Sequence, residues 1–263
     1  MVRESRDACG NGDGALMRGF VVSAEAVEGH AEPGDTAAVK VTIDRDAGSE
    51  RLEQRLIRCA PGRSTARTLE GRQQVLFVVS GMGALVLDGR AHDLEPDTGA
   101  YVAAGESFEL DNPGPEELVV LAVSAPQEDS VPGSEQRTVR YADQPTLPAG
   151  GDRKFSFLVD HEVGSRDVTQ FLGVIAPGRA PDHSHVYDEV IYVIEGEGKL
   201  HLDGTETAIA GGSCIYLPPL VEHCLENSGN HPMRVLGVFH PAGDPASRAY
   251  EATQEQSSKG GRA

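Results

Sequence analysis

The chain has 263 residues with 23 basic and 41 acidic side chains, so its formal net charge is −18. This charge disfavours nucleic acids and anionic membranes as partners, because both bind proteins mainly through clustered Lys and Arg. Apolar residues make up 39% of the chain, and its 31 Gly raise the apolar-plus-Gly share to about half, as in globular proteins with a core. At about 100–150 residues per domain, the length suits two small domains or one large one.

The N-terminal 20 residues place charged side chains where a secretory signal needs an apolar run. No stretch approaches the ~20 apolar residues of a membrane span, so we expect a cytoplasmic protein. In a reducing compartment, Cys residues without a CxxC pair are expected to be inert or buried thiols. The four Cys are Cys9, Cys59, Cys214 and Cys224.

Turn residues divide the chain into short apolar runs, about eight to twelve residues apart, which is typical of an all-β sandwich or barrel. The longest polar, Pro- and Gly-rich interval in the middle of the chain is 127–151, and it predicts a connection between two halves. The apolar runs include Val75 to Val79, Ala84 to Leu87, Leu118 to Val123, Val190 to Ile194 and Met233 to Phe239.

The two halves are related by an internal repeat. A shift of 115 residues superposes VLFVVSGMGALVLDG, which starts at Val75, on VIYVIEGEGKLHLDG, which starts at Val190. The matching Asp-Gly pairs at 88–89 and 203–204 predict equivalent hairpin turns. The same register holds further on, where Tyr101 falls on Tyr216, Asn112 on Asn227 and Pro126 on Pro241. A tandem duplication of a small β-barrel is therefore predicted.

The second repeat contains residues that make sense as a metal site. His183 and His185 are two residues apart, so on a strand both side chains leave the same face and can bind one ion. Glu189 follows four residues later with the same parity. His223 comes just after a Pro-Pro turn at 218–219, so a neighbouring strand can bring it to the same cavity.

These residues resemble the two sequence motifs of the cupin superfamily, and the repeat makes the chain similar to a two-domain cupin, or bicupin. The first motif, Gly, a spacer, His-x-His, three or four residues, Glu, six residues and Gly, is matched by Gly178, His183, His185, Glu189 and Gly196. The second motif is matched by Gly212, Pro218, His223 and Asn227.

The motifs depart from the family pattern at two points. The spacer after Gly178 has four residues where five are usual, which affects only the loop. Leu220 stands where the second motif has Gly, so we expect an altered turn before His223. The resemblance covers residues 55–245 and implies an all-β fold of two tandem cupin barrels, each a double-stranded β-helix of the jelly-roll type.

The resemblance also implies a ligand set, in which His183, His185, Glu189 and His223 coordinate one divalent metal in the C-terminal barrel. Three neutral imidazoles and one carboxylate, without a thiolate, suit Fe(II), Mn(II), Co(II), Ni(II), Cu(II) or Zn(II). Four ligands leave one or two coordination positions open for water, substrate or dioxygen, as a catalytic site requires.

The first repeat lacks the imidazoles. At the 115-residue shift, His183 corresponds to Thr68, His185 to Glu70, Glu189 to Gln74 and His223 to Phe108. We therefore predict that the N-terminal barrel is metal-free and structural, either packing against the second barrel or shaping the entrance to its site. A metal-free binding pocket in the N-terminal barrel is the alternative.

The remaining histidines are expected at the surface. His201 and His240 lie on predicted strands whose faces alternation does not assign, and we expect both to be exposed. The run Val190 to Ile194 is apolar on both faces, so one face fills the barrel and the other packs on the other barrel or on a second subunit. The histidines in polar or turn-like contexts are His30, His92, His161 and His231.

The predicted organisation is an N-terminal arm with leading strands (1–54), an N-terminal barrel (55–126), a connection with a leading strand (127–165), a C-terminal barrel (166–245) and a flexible tail (246–263). The resemblance implies a metal-dependent enzyme that acts on a small organic molecule. Because a substrate with adjacent oxygen donors can chelate Fe(II) and pass electron density to O2, our first prediction is a dioxygenase.

The fold and the ligand types do not select one reaction. A non-redox isomerase, cyclase, lyase or hydrolase that uses Mn, Zn, Ni or Co is the alternative enzyme. A non-catalytic binding protein, such as a sensor or a storage protein, is the hypothesis from another class. The family's habit also suggests a homodimer.

Overall fold

The computed structural model describes residues 19–128, 136–150 and 152–247. Its regular structure consists of antiparallel β-strands and one 3-10 turn, so the predicted all-β fold is confirmed. Cys9 and most of the predicted tail, from residue 248 onward, lie outside the described residues. In the described ranges we find no helix with the length and apolarity that crossing a membrane requires.

The strands of the N-terminal half are β1 (Phe20–Ser23), β2 (His30–Ala31), β3 (Ala37–Ile43), β4 (Glu53–Cys59), β5 (Gly62–Arg63), β6 (Arg67–Thr68), β7 (Arg72–Ser80), β8 (Gly83–Leu87), β9 (Arg90–Leu94), β10 (Thr98–Val102), β11 (Ser107–Asn112) and β12 (Leu118–Pro126). After the connection come β13 (Thr138–Arg140), the 3-10 turn (Tyr141–Asp143), β14 (Leu147–Pro148), β15 (Arg153–Val159), β16 (Thr169–Ile175), β17 (Gly178–Arg179), β18 (Asp188–Glu195), β19 (Glu197–Leu202), β20 (Thr205–Ala210), β21 (Ser213–Leu217), β22 (His223–Asn227) and β23 (Met233–His240).

Each repeat folds into a barrel with one large and one small sheet. The large sheet of the first barrel has the order β13-β10-β7-β12-β4-β3-β2, and its small sheet has the order β5-β11-β8-β9 with β6 also on β11. The second barrel repeats this plan, with β1-β21-β18-β23-β16-β15-β14 and β17-β22-β19-β20. The prediction of two tandem jelly-roll barrels is therefore confirmed.

The two barrels exchange edge strands. β1, which precedes the first barrel in the chain, pairs with β21 of the second barrel. In return β13, which precedes the second barrel in the chain, pairs with β10 of the first barrel. Each large sheet thus ends on a strand from one of the two predicted leading segments, 1–54 and 127–165, and these strands hold the two barrels together.

A shared hydrophobic core joins the barrels. Val75 and Phe77 on β7 belong to the same buried cluster as Val190 and Tyr192 on β18. Side chains on the opposite face of β18, including Ile191 and Val193, belong to the interior cluster of the second barrel. The run that is apolar on both faces therefore fills its own barrel on one side and packs against the other barrel on the other.

The hairpins form as the Asp-Gly pairs predicted. Asp88 and Gly89 have φ angles of 47° and 76°, and Asp203 and Gly204 have φ angles of 47° and 74°. Positive φ at both central residues is the requirement of a type I′ turn, whose twist matches that of the flanking strands. These turns join β8 to β9 and β19 to β20 in equivalent places of the two barrels.

Two histidines are buried where exposure was expected, so that prediction was wrong. His201 is 8% exposed because its ring lies against Glu226, with Nε2 2.6 Å from Oε2. His240 is 2% exposed and ends β23, opposite Asp188 on β18, where burial lowers its pKa. Of the four other histidines, His92 is half-buried and the rest are exposed.

Three of the four cysteines lie in the described residues, and all three are buried free thiols, as predicted. They are Cys59, Cys214 and Cys224. Burial raises the pKa of the Cys59 and Cys214 thiols to about 11. Both therefore stay protonated and unreactive at neutral pH.

Candidate metal centre and its cavity

Three of the four predicted ligands lie together inside the second barrel. Glu189 is on β18, between Leu217 of β21 and Phe239 of β23, and its side chain is buried. His223 begins β22, while His185 precedes β18, and both are buried. One potential ligand atom from each of these three residues lies within 4.8 Å of the other two.

Backbone carbonyls set the orientation of the imidazoles. Nδ1 of His185 lies 3.0 Å from the Tyr187 carbonyl, and Nδ1 of His223 lies 2.8 Å from the Val221 carbonyl. Because a carbonyl oxygen can only accept, each Nδ1 carries the proton that is donated, and each Nε2 keeps its lone pair. A hydrogen bond of this kind on the outer nitrogen is the usual support of a metal-binding histidine.

The donor atoms fit a cation. His185 Nε2 lies 2.7 Å from Glu189 Oε2, and His223 Nε2 lies 4.0 Å from the same oxygen. With the Nδ1 atoms protonated, the closer contact sets two lone pairs against each other, and a shared proton or a metal ion removes this repulsion. Burial also lowers the pKa of His223 to about 4. This imidazole is therefore neutral at pH 7, as a metal ligand must be.

His183, the fourth predicted ligand, borders this group. Its backbone exchanges two hydrogen bonds with His223, of 3.0 and 2.9 Å, and its ring centroid lies 4.6 Å from that of His223. The ring is farther from His185, at 6.4 Å, and is half-buried. Its Nδ1 lies 3.2 Å from the Pro181 carbonyl. His183 thus shares the backbone support of the other two, while its ring lies at the side of the cluster.

The turn before His223 keeps the shape that a glycine would give it. Leu220 has a φ of 65°, in the left-handed region, and its amide donates to the His185 carbonyl at 2.7 Å. Gly105 in the first barrel has a φ of 77°, and its amide donates to Leu69 in the same way. The expectation of an altered turn was therefore wrong, and Leu220 adopts a conformation that is strained for a branched side chain.

The backbone pairing also corrects the match between the repeats. Phe108 on β11 pairs with Arg67, as His223 pairs with His183, so His183 matches Arg67 and not Thr68. The equivalent amide-to-carbonyl contacts described above match His185 with Leu69 and not with Glu70. The shift is 116 residues at this point because the first repeat has one additional residue before β7. Neither matched position in the first repeat carries an imidazole.

A cavity of about 650 Å³, counting the space at its open mouth, leads to the cluster. Its walls are mainly apolar, and three of the seven Phe of the chain line it. Phe239 is the wall residue next to the candidate ligands: its ring centroid lies 5.4 Å from that of His185 and 4.9 Å from that of Phe171. Phe155 packs edge-to-face on Phe171 at 6.2 Å. Mainly apolar walls with a few polar groups are usual for small-molecule sites.

Tyr187 joins the candidate ligands to a C-terminal segment that lines the cavity. Its ring stacks on that of His185, with centroids 4.5 Å apart and planes 16° apart. Its hydroxyl donates to the Asp244 carbonyl at 2.9 Å, and burial raises its pKa. Pro245 and Ser247, just beyond, line the cavity. The stack and the hydrogen bond therefore hold the 244–247 segment against the cavity.

The lining residues were missed by the sequence reasoning, because period alone does not separate a cavity wall from an ordinary core. A comparison of the two repeats does distinguish some of the lining residues. By strand register, the positions of Phe171 and Phe239 correspond to Arg55 and Ser124. Aromatic residues in one repeat and polar residues in the other mark positions whose surroundings differ between the two barrels.

Fold and site together define a two-barrel β protein with a candidate metal centre in its second barrel. The chain belongs to the cupin family: the cupin domain model matches residues 55–124 and 171–239, one match in each barrel.

Comparison with known proteins gives relatives of several kinds. The chain is 30% identical over 99 residues to the polyketide synthase CurC of Streptomyces cyaneus, a match that covers 37% of this chain and 62% of that protein. It spans 48% to 66% of the length of the curated relatives that it matches.

Solved structures share the whole two-barrel fold. Protein Ylba from E. coli superposes with a TM-score of 0.72 at 14% identity, covering 87% of this chain and 93% of that chain. An oxalate decarboxylase of Bacillus subtilis with Mn(II) centres superposes with a TM-score of 0.69 at 17% identity, covering 89% and 79%. At these identities the similarity concerns the fold alone.

Proposed function

We propose that this protein is a metal-dependent enzyme that acts on a small organic molecule, with one divalent ion held by His183, His185, Glu189 and His223. The supporting observation is the orientation of His185 and His223, whose Nδ1 atoms donate to backbone carbonyls while their Nε2 atoms approach Glu189. Two imidazoles and a carboxylate arranged in this way, with a third imidazole beside them, make a site for a first-row divalent metal.

The leading reaction is Fe(II)-dependent dioxygenation. Bound Fe(II) would supply electron transfer from a chelated, ionised substrate to dioxygen. The chain's own residues have simpler tasks: Glu189 offsets part of the ion's charge, and the aromatic walls exclude water and orient a planar substrate.

The groups around the cavity favour this reaction over acid–base chemistry. Among the described lining residues, the only carboxyl and imidazole groups are the four proposed ligands. The Tyr187 hydroxyl is donated to Asp244, and its raised pKa keeps it protonated. Apart from the proposed ligands, the described lining thus offers no carboxyl or imidazole group for general acid–base catalysis.

A non-redox reaction is the second candidate. In an isomerase, cyclase, lyase or hydrolase, Mn(II), Zn(II), Ni(II) or Co(II) would polarise a substrate oxygen as a Lewis acid. The oxalate decarboxylase with Mn(II) centres shows that a protein of this fold can hold Mn(II). Glu189 would then have both to bind the ion and to assist proton transfer.

Metal analysis followed by reconstitution tests both candidates. The protein, purified without chelators, would be loaded anaerobically with Fe(II) or Mn(II) and supplied with aromatic substrates that carry adjacent hydroxyls. Substrate-dependent oxygen uptake by the Fe(II) form but not by the Mn(II) form supports the dioxygenase. Product formation without oxygen uptake supports the second candidate. Failure to bind any transition metal, together with a Tm that EDTA does not change, would contradict both.

A further inference from the structure

The cavity has a cationic end that the proposed reaction does not use. Arg153 is the first residue of β15 and lines the cavity beside its strand partner Ile175. Ile175 in turn pairs with Met233 on β23, whereas Glu189 pairs with Phe239 on the same strand. At ~3.4 Å per residue, Met233 and Phe239 are up to about 20 Å apart along β23. Arg153 and the candidate metal centre thus lie towards opposite ends of the cavity.

Strand alternation directs Arg153 to the cavity. Successive side chains of a strand point to opposite faces, so Arg153 shares a face with Phe155, which belongs to the aromatic cluster of the cavity. Leu158, on the opposite face, belongs to the core between the barrels. Lys154 shares that opposite face, although it also borders the cavity. The neighbouring basic residues therefore differ in the direction of their side chains.

The Arg153 side chain is held at the rim. Its Nη2 donates to the Ala149 carbonyl at 3.3 Å and its Nε donates to the Gly150 carbonyl at 3.4 Å. A guanidinium also binds carboxylates, because both partners are charged and two parallel hydrogen bonds can form.

The wall between the two ends is aromatic. Phe239 lies 4.2 Å from Tyr187 and 4.9 Å from Phe171, centroid to centroid, and Phe155 continues the series towards Arg153. Rings of this kind bind a flat apolar body through stacked and edge-to-face contacts. A two-carbon diacid would contact one end of the cavity and leave this wall unused.

We propose that the ligand of this site is an elongated aromatic acid. Its oxygen donors reach the metal end, its rings lie along Phe239, Phe171 and Phe155, and its carboxylate pairs with Arg153. The metal-end contact rests on the proposed function, whereas the contact with Arg153 does not. The net charge of −18 opposes the approach of an anion, but this long-range repulsion is screened beyond about 10 Å at 0.1 M salt. Arg153 acts at contact distance.

The test uses the full chain loaded with Co(II) and the probe 6-hydroxy-2-naphthoate, which has oxygen groups at both ends of two fused rings. Its amide, 6-hydroxy-2-naphthamide, is the neutral control, and 4-hydroxybenzoate is the short control. Affinities come from calorimetry, and the visible bands of Co(II) report contact at the metal end. The variants are Arg153→Met and, as the charge-matched control, Lys154→Met.

We expect Arg153→Met to weaken binding of the naphthoate at least tenfold and to leave the amide unaffected, while Lys154→Met changes either affinity less than twofold. The short acid should bind more weakly than the naphthoate. Equal losses in the two variants, or equal affinities for acid and amide, would overturn the proposal. If Co(II) does not bind, the proposed function fails, and calorimetry on the metal-free protein still decides the role of Arg153.

Discussion

The two barrels share a backbone plan but differ in their interiors. In both, one Asn ties the same loop to the large sheet: Asn112 donates to the Cys59 carbonyl and Asn227 to the Ile175 carbonyl, each at 2.8 Å. Both barrels also have the same type of Asp-Gly hairpin and an edge strand donated from outside the repeat. These common features are the ones that maintain the barrel.

The interiors differ at a few matched positions. Strand register places Phe108 where the second barrel has His223, and Ile57 where it has Gly173. Phe108 and Ile57 are almost completely buried in the core of the first barrel. In the second barrel the smaller Gly173 leaves space, and His223 lines that space. The comparison shows how one architecture gives either a filled core or a cavity with polar groups at its base.

The largest effect is expected when the second barrel is given the first barrel's residue at the candidate centre. We predict that His223→Phe lowers Co(II) affinity more than about 100-fold, which exceeds the loss typical for supporting partners of a ligand. The fold should survive, because Phe occupies the same position in the first barrel. Metal titration followed by Co(II) absorbance measures the effect.

Two further variants sharpen this prediction. His231→Phe, at an exposed position, should bind metal like the parent protein. His183→Ala should weaken binding less than His223→Phe does, since the His183 ring lies at the side of the cluster. An equal loss for His183→Ala would show that His183 moves fully into the coordination sphere, and unchanged affinity in His223→Phe would contradict the ligand set.

A second substitution that copies a residue of the first barrel tests the cavity independently of the metal centre. Gly173→Ile copies Ile57 and fills space beside the Phe171 ring, so we expect binding of 6-hydroxy-2-naphthoate to fall at least tenfold while Co(II) still binds. Calorimetry and Co(II) absorbance measure the two quantities on the same sample. A Cβ at position 173 would meet Val235 at 3.1 Å, so Gly173→Ala is the control for crowding of the backbone alone. Undiminished ligand affinity in Gly173→Ile would place the ligand elsewhere.

Gly237 lies directly against the ring of Phe171 in the aromatic wall. A Cβ at this position would overlap the Phe171 ring, whereas the first barrel has Ala122 at the matched position and no aromatic residue above it. Overpacking of this kind costs ~1–3 kcal/mol, and we predict this loss in the free energy of unfolding of Gly237→Ala. Denaturant titration measures it. Adding Phe171→Leu should restore part of the loss, and strictly additive effects would argue against direct contact.

The sequence was sufficient to predict the repeat, the hairpins and the separation of the barrels, because these depend on local turn chemistry and on alternation along strands. His201 and His240 show the limit. Their burial depends on Glu226 of β22 and on the pairing of β23 with Asp188 of β18, which are contacts between segments distant in sequence. The match of His183 to Arg67 was missed for a similar reason, since one additional residue is absorbed in a loop that leaves the strands in register.

The candidate site shows the same division. The motif spacing selected His185, Glu189 and His223, which the fold brings together, because each stands at a defined point of a strand or turn. The cavity wall could not be selected in this way. Phe155, Phe171 and Phe239 come from three strands, and only the register of β15, β16 and β23 makes them neighbours.

The smallest predicted effect concerns the turn before His223, where the barrels differ by Leu220 against Gly105. A left-handed conformation costs a non-glycine residue about 1–2 kcal/mol, and glycine loses part of that advantage through its greater freedom in the unfolded chain. Because Leu220 is 66% exposed, its removal sacrifices little packing. We therefore predict that Leu220→Gly stabilises the protein by up to about 1 kcal/mol, measured as the free energy of unfolding. The reciprocal variant Gly105→Leu should destabilise by a similar amount. A loss of stability in Leu220→Gly would mean that the Leu220 side chain contributes contacts that outweigh the backbone strain.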